Sequence, residues 1–342
     1  MALKNGDPNQ DPLTQATPKA SPTPAESASM LDGTVVATDL ALRHPLGVMV
    51  ENLSTIRPQT GLSTASVIYE AVVEGGITRF MAVYGPRLPE KIGPVRSARQ
   101  VFVEISKEFT PVSAYYAHVG GSPDALATLK NEKLYDMDQF AVGGKAFERI
   151  AKAGLASEHT MYTYPDKLYT AAKDKGYSTQ ATFRPWLFKA DAEVANRPEA
   201  QTIVIPFSGA SYDVTYIYDK LTNSYKRQQL GSDFTDTLTG KALSPKNIVV
   251  QFATYAARKG DDKGRQDVNV TDGGTAKVLR DGIVTEAKWA KDKATNRTIF
   301  TDAASGTEIK FNAGQTIVEI VKSDAKVVVT SPSPSPTAVA SP

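Results

Sequence analysis

The sequence predicts an α/β layer domain over residues 41–180, followed by a mostly antiparallel, β-rich domain over 181–325. Three observations carry this. Strand-like and helix-like runs alternate between Gly47 and Lys175, the pattern of a layered α/β unit. From Thr202 onward, short alternating apolar runs follow one another, separated by hairpin-turn signals. A length of 342 residues, with 41% hydrophobic and 22% charged residues, leaves room for two domains of ordinary composition.

Gly47-Val48-Met49-Val50 is a short apolar run that reads as a buried strand meeting a loop at Glu51-Asn52. Ser66 to Val73 fits a strand or a short helix. Phe80 to Tyr84 is aromatic and β-branched, a strand stopped by Gly85-Pro86. Ser97 is placed to cap a helix running to about Phe109, with Val101, Phe102, Ile105 and Phe109 on one face. Ser113 to Val119 is the next strand, ended by Gly120-Gly121. Ser122-Pro123-Asp124 and Pro165-Asp166 then read as helix starts. In the second part, Ile203–Ile205, Val214–Tyr218, Tyr225–Arg227, Ile248–Val250, Ile309–Phe311 and Ile317–Ile320 are strand candidates.

Residues 1–40 and 326–342 are rich in Pro, Ser, Thr and Ala, and Ser331 to Pro336 alternates Ser and Pro. Such composition buries too little apolar surface to offset ordering entropy, so both ends are expected to be disordered spacers. The start lacks the basic-then-apolar pattern of a signal peptide and reads as a chain that begins after a removed leader. No apolar run reaches the roughly 18–20 residues of a membrane span.

The net charge of +2 argues against nucleic acid as a partner and makes any anion binding local. The absence of cysteine excludes disulfides, thiolate metal sites and a cysteine nucleophile in this chain. His44, His118 and His159 are the only imidazoles, so no metal site and no cofactor is expected.

The densest chemistry lies in Glu74-Gly75-Gly76-Ile77-Thr78-Arg79-Phe80 and Ile92-Gly93-Pro94-Val95-Arg96-Ser97-Ala98-Arg99. Glycine pairs and Gly-Pro steps fix unusual backbone geometry, and arginine forks suit carboxylate, phosphate or sulfate. Arg79, Arg96, Ser97, Arg99 and His118 are therefore the ligand-binding candidates. The alternative is that the arginines pair internally with Glu51, Glu70 or Glu74.

These segments resemble the YerB-like family of lipoprotein-type bacterial proteins, a two-part domain of unknown function. Val48-Met49-Val50-Glu51-Asn52, Arg57-Pro58-Gln59-Thr60-Gly61-Leu62, Tyr69-Glu70, the two arginine segments and His118-Val119-Gly120-Gly121-Ser122-Pro123 carry the likeness. Tyr225-Lys226-Arg227, Gly264-Arg265, Asp281-Gly282, Trp289 and Gly314-Gln315-Thr316 extend it, so that it covers roughly Pro45 to Lys322. The resemblance implies an extracytoplasmic, membrane-anchored envelope protein, although the lipid-accepting cysteine is absent from this chain.

Two function classes follow, with a third beside them. The first is binding of an anionic cell-wall component through the arginines and His118. The second is a wall glycan hydrolase or lyase using Glu51, Glu70 or Glu74 with His118 as catalytic groups. The third is an envelope protein–protein adaptor acting through the β-rich half. His159 is a second imidazole candidate, and Ser122 reads as a helix cap before a nucleophile. Asp261 to Asp267 reads as a solvated turn rather than a calcium loop. Tyr115, Tyr116, Tyr135 and Trp186 read as core aromatics before sugar platforms.

Overall fold

The computed structural model describes residues 1–2, 25–109, 112–180 and 182–330. Its centre is a ten-stranded mixed sheet. In chain order the strands are β1 (Leu46–Glu51), β2 (Val67–Glu74), β3 (Ile77–Tyr84), β4 (Tyr115–His118), β5 (Asp136–Asp138), β6 (Asn247–Ala253), β7 (Gly273–Arg280), β8 (Ile283–Lys291), β9 (Thr298–Asp302) and β10 (Thr316–Lys322). They lie side by side as β9-β8-β7-β6-β10-β2-β3-β1-β4-β5. The last strand, β10, slots parallel to both β6 and β2, with Glu319 opposite Glu70. Its near-continuous apolar run is what a strand covered on both faces requires. The parts expected as successive domains thus contribute to one sheet.

Side-chain alternation sends Met49, Tyr69, Met81 and Tyr116 to one face, and Val48, Val50, Ile68 and Phe80 to the other. The first face packs against helices α1 (Gln100–Ser106) and α2 (Pro123–Asn131) through Phe102, Ile105 and Leu129. The second is covered by helix α3 (Pro165–Asp174) and by a five-stranded antiparallel sheet built from Thr202–Ile205, Val214–Asp219, Ser224–Gln229, Ser232–Asp233 and Val328–Thr330.

The molecule is mostly β, and the expected α/β layering at the N-terminal end holds in part, in the parallel run of β1, β4 and β5. Strand–helix alternation misleads there because β2 and β3 form an antiparallel hairpin, and Ser66 to Val73 resolves as strand. The expected tail boundary at residue 40 also lies too late. Glu26–Ala28 pairs with Val35–Ala37, and Leu31 and Asp32 are buried. Asp32 accepts hydrogen bonds from Ser66 Oγ and Thr34, so a polar segment is fixed by the body it contacts. At the other end, Val328–Thr330 pairs with Thr202–Val204, so order passes residue 326. Residues 3–24 and 331–342, including the Ser-Pro run, lie outside the described residues.

The helix expected to be capped by Ser97 begins two residues later than that, with Arg99 at its N-cap in extended conformation. The reason is a tertiary pin. Ala98 bridges to Gly121, donating from its N–H to Gly120 O and accepting from Ser122 N–H. That contact holds residues 97–99 extended.

Candidate functional site

The β2–β3 hairpin turns through Gly75 and Gly76, both with positive φ, +55° and +78°. Glycine adopts positive φ at both positions with no Cβ penalty. Just before the turn, a bulge lies between Val72 and Glu74. The extra residue switches Glu74 to the helix-covered face, where alternation alone would have pointed it away. Glu51, at the end of β1, lies opposite Arg79 on that same face.

Local pairing thus assembles a cluster. Arg79 is 3% exposed; its Nη2 donates to Glu74 Oε1 at 3.0 Å and its Nη1 to Ser97 O at 2.9 Å. Arg99 grips the other oxygen of Glu74 through Nε at 2.8 Å and through Nη2, and its Nη1 donates to Ala98 O. Arg96 Nε sits 3.3 Å from Glu51 Oε1, and Nη1 donates to Glu158 O at 2.6 Å. Among the described residues, its Nη2 meets only the carboxylate of Glu158, 4.0 Å away and 65% exposed. His159 Nδ1 donates to Glu51 at 2.9 Å.

The electrostatics follow from this crowding. Burial alone would raise the Glu74 pKa, yet Arg79 and Arg99 hold it below the usual carboxylate value. Burial, then the neighbouring Arg99 and Arg96, push Arg79 down to about 10 against the pull of Glu74 and Glu51. Three guanidinium groups face two interior carboxylates. The surplus is met by main-chain carbonyls and by the solvent-facing Glu158.

The other candidates go elsewhere. Glu70 points to the opposite face, where its carboxylate accepts from Arg227 Nη2 at 2.7 Å and Asn52 Nδ2 at 2.8 Å. Glu51, Glu70 and Glu74 therefore do not form one carboxylate set. His118 is fully buried. Its Nδ1 lies 2.8 Å from Gly120 O and its Nε2 2.9 Å from Asp136 Oδ1, so both nitrogens are engaged away from the arginines. Ser97 contributes its carbonyl to Arg79. Ser122 stands at the N-cap of α2, but its Oγ makes no capping bond. Tyr115 and Tyr135 stack within an aromatic group that includes His44 and Tyr177, and Trp186 packs on Phe311. Asp261 folds back on Arg265. Among the described residues no cluster of His, Asp and Glu could hold a metal ion.

Two residues have larger parts than their sequence context suggests. His159, beside Glu158 on the turn Ser157–His159, brings the imidazole that Glu51 touches. Glu319 is buried among apolar neighbours on β10, and its isolation in Ile317-Val318-Glu319-Ile320 is the signal that could have marked it.

Two family models describing the N-terminal and C-terminal domains of a protein of unknown function, DUF3048, match residues 31–178 and 203–318. The chain belongs to the DUF3048 family. It is 34% identical over 280 residues to "Putative lipoprotein YerB" of Bacillus subtilis (strain 168), covering 82% of this chain and 81% of that protein. The crystal structure of the Bacillus subtilis YerB protein superimposes with a TM-score of 0.76 at 31% identity, covering 88% of this chain and 99% of the other. All of the arginine cluster, from Glu51 to His159, falls within the N-terminal DUF3048 match. The Glu70–Arg227 ion pair joins the N-terminal match to the C-terminal one. Among the described residues of this DUF3048 chain, no helix is long and apolar enough to cross a membrane.

Proposed function

We propose that this protein is an extracytoplasmic, membrane-tethered envelope protein that binds an anionic cell-wall component at Arg96, Arg99 and Glu158. The lipoprotein named among its relatives supports the tethering. One observation carries the binding: among the described residues, Arg96 Nη2 is answered only by an exposed carboxylate 4.0 Å away. A ligand carboxylate or phosphate displaces Glu158 from that position and meets the surplus positive charge. Arg79, held by Glu74 and the Ser97 carbonyl, acts as the fixed base that orients Glu74 and Arg99. His118 takes no direct part in this reading. Titration of purified wall fragments onto the protein tests it. Arg96→Ala with Arg99→Ala should abolish saturable binding, and unchanged affinity in that double variant would remove the site.

The Glu51–His159 contact favours a second reading, wall glycan cleavage with this pair as acid and base in place of a pair with His118. Dye release from isolated walls decides it. Cleavage that is lost in a folded Glu51→Gln variant supports the pair, and no release by the unaltered protein excludes it.

A further inference from the structure

The segment Arg57-Pro58-Gln59-Thr60-Gly61 takes no part in the arginine cluster. It follows β1, whose last residue and its successor point to opposite faces of the sheet. Glu51 joins the cluster, while Asn52 turns inward and donates from Nδ2 to Glu70 Oε1 and Thr78 Oγ1, both at 2.8 Å. The remaining acceptors of Asn52 hold Arg57. Oδ1 takes Nε at 2.9 Å, and the main-chain carbonyl takes Nη2 at 3.2 Å. One edge of the guanidinium is thereby fixed. Among the described residues, Nη1 at the other end is enclosed without a hydrogen-bond partner and Arg57 forms no ion pair.

Arg57 forms one wall of a cavity of about 260 Å³ between the Ser54–Pro58 loop and the Gln229–Thr235 hairpin. Its guanidinium carbon lies 5.5 Å from the Tyr212 ring centre and 6.0 Å from that of Phe234. Pro58 and Phe234 supply apolar wall, Ser54 and Thr235 supply hydroxyls, and Gln229 carries a buried Oε1 with no partner. The one acid in the lining, Asp233, is already engaged by Lys226 at 3.3 Å and by Gln228 Nε2 at 2.8 Å. The volume is below the roughly 300–1,000 Å³ of whole small-molecule sites, so the occupant is compact.

We propose that this cavity is a second ligand site that takes a carboxylate bearing a small apolar group. The carboxylate would meet Nη1 of Arg57 and the second N–H of Nη2, and the apolar group would lie on Phe234 and Pro58. Leu230, at the hairpin tip, lines the cavity and is 59% exposed. Burial lowers the Arg57 pKa against the pull of Glu70, and an incoming anion would offset that burial. Chain-terminal and free acids share this chemistry, and the probes separate them.

The test is calorimetric titration of the full chain with N-acetyl-alanyl-alanine, its C-terminal amide, and propionate. Saturable binding of the acid is expected, with the amide weaker by about tenfold or more. Arg57→Gln and Ser232→Trp, the latter on the exposed side of the hairpin, should each reduce affinity by about the same factor. Arg96→Ala with Arg99→Ala should leave it unchanged, which separates this site from the wall-component site. Propionate binding as tightly as the dipeptide assigns a free acid as occupant; weaker propionate binding assigns a chain terminus. Should Arg57→Gln fail to fold, Ser232→Trp decides alone. Absence of saturable acid binding up to millimolar concentration, equal affinity for the amide, or full affinity in Ser232→Trp overturns the proposal.

Discussion

Two arginine–glutamate clusters lie on opposite faces of the same strands, with opposite imbalances. On the inner face, Glu70 and Glu319 share Arg227, and all three are fully buried. On the helix-covered face, Arg79, Arg96 and Arg99 share Glu51 and Glu74, and the side chains of Arg96 and Glu74 remain about a fifth exposed. The inner cluster has a surplus of acid and the other a surplus of cation. Each surplus is resolved by what its surroundings permit. On the inner face, burial, with Glu70 beside it, pushes Glu319 up to about 8 despite Arg227. The outer cations turn their remaining donors to carbonyls and to solvent-facing groups. The first arrangement clamps the two sheets together; the second keeps a demand for an anion.

The clamp should break hardest. Arg227 donates to Glu319 Oε1 at 2.6 Å and to Glu70 Oε2 at 2.7 Å, and Tyr216 OH reaches the same Glu319 oxygen at 2.5 Å. Arg227→Met leaves two buried acids without their cation and should cost about 3–5 kcal/mol in urea unfolding. A loss under about 1 kcal/mol would show that the acids relax by simple protonation. The same acid surplus sets a pH dependence. Glu319 has a folded pKa raised above its ordinary value of 4.5, so the folded state binds the extra proton. Its contribution is fully present below pH 4.5 and is lost as pH rises through about 8. Unfolding free energy should fall across that window by an amount on the order of a few kcal/mol, and Glu319→Gln should flatten the fall.

On the other face, Arg79→Ala should cost less, about 2–3 kcal/mol, because Glu74 keeps Arg99 as partner. The sign of the pH response reverses here. The Glu74 pKa is depressed, so its contribution is present above its ordinary value and is lost as pH falls through the folded value. Arg96→Ala should change unfolding by at most about 1 kcal/mol, as expected for a partly exposed pair, while weakening wall-fragment binding most. A large stability loss with intact binding would make Arg96 a strut instead.

The sequence made local facts legible and long-range facts illegible. Arg79, Arg96 and Arg99 stand out because glycine-rich turns sit beside them, and the structure brings all three to Glu51 and Glu74. Most strands were readable from β-branched and aromatic runs, such as Phe80 to Tyr84. The bulge that turns Glu74 toward the arginines was not readable, because one extra residue leaves no compositional mark. Nor was the place of β10 between β2 and β6, which depends on pairing across about 250 positions, as in Thr316 with Val67. His118 looked available because it precedes a glycine pair; Asp136, eighteen positions on, consumes its Nε2. The order of residues 25–40 was hidden because its polar residues are satisfied by distant groups, as Asp32 is by Ser66.

The smallest expected effect bears on the one cap position that sequence and structure both place at the same residue. Ser122 precedes Pro123 and Asp124 and occupies the N-cap of α2 with extended backbone, φ −68° and ψ 149°. A capping hydroxyl at such a position stabilises by about 1 kcal/mol when it accepts from the first turn. Here the Oγ accepts nothing from that turn, and the start of the helix is held instead by Ser122 N–H donating to Ala98 O. That main-chain bond is the same pin that delays α1 and sets Arg99 against Glu74. Ser122→Ala keeps it and should change the unfolding free energy by no more than a few tenths of a kcal/mol, within the scatter of neutral substitutions. Gly121→Val tests the other half of the comparison, since a Cβ there already meets Ala98 Cβ and Leu126 at 3.0 Å. It should push the 97–99 segment away and weaken wall-fragment binding while Arg227 and its acids stay paired. Equal losses of binding in both variants would mean that the hydroxyl, not the backbone, positions the arginines.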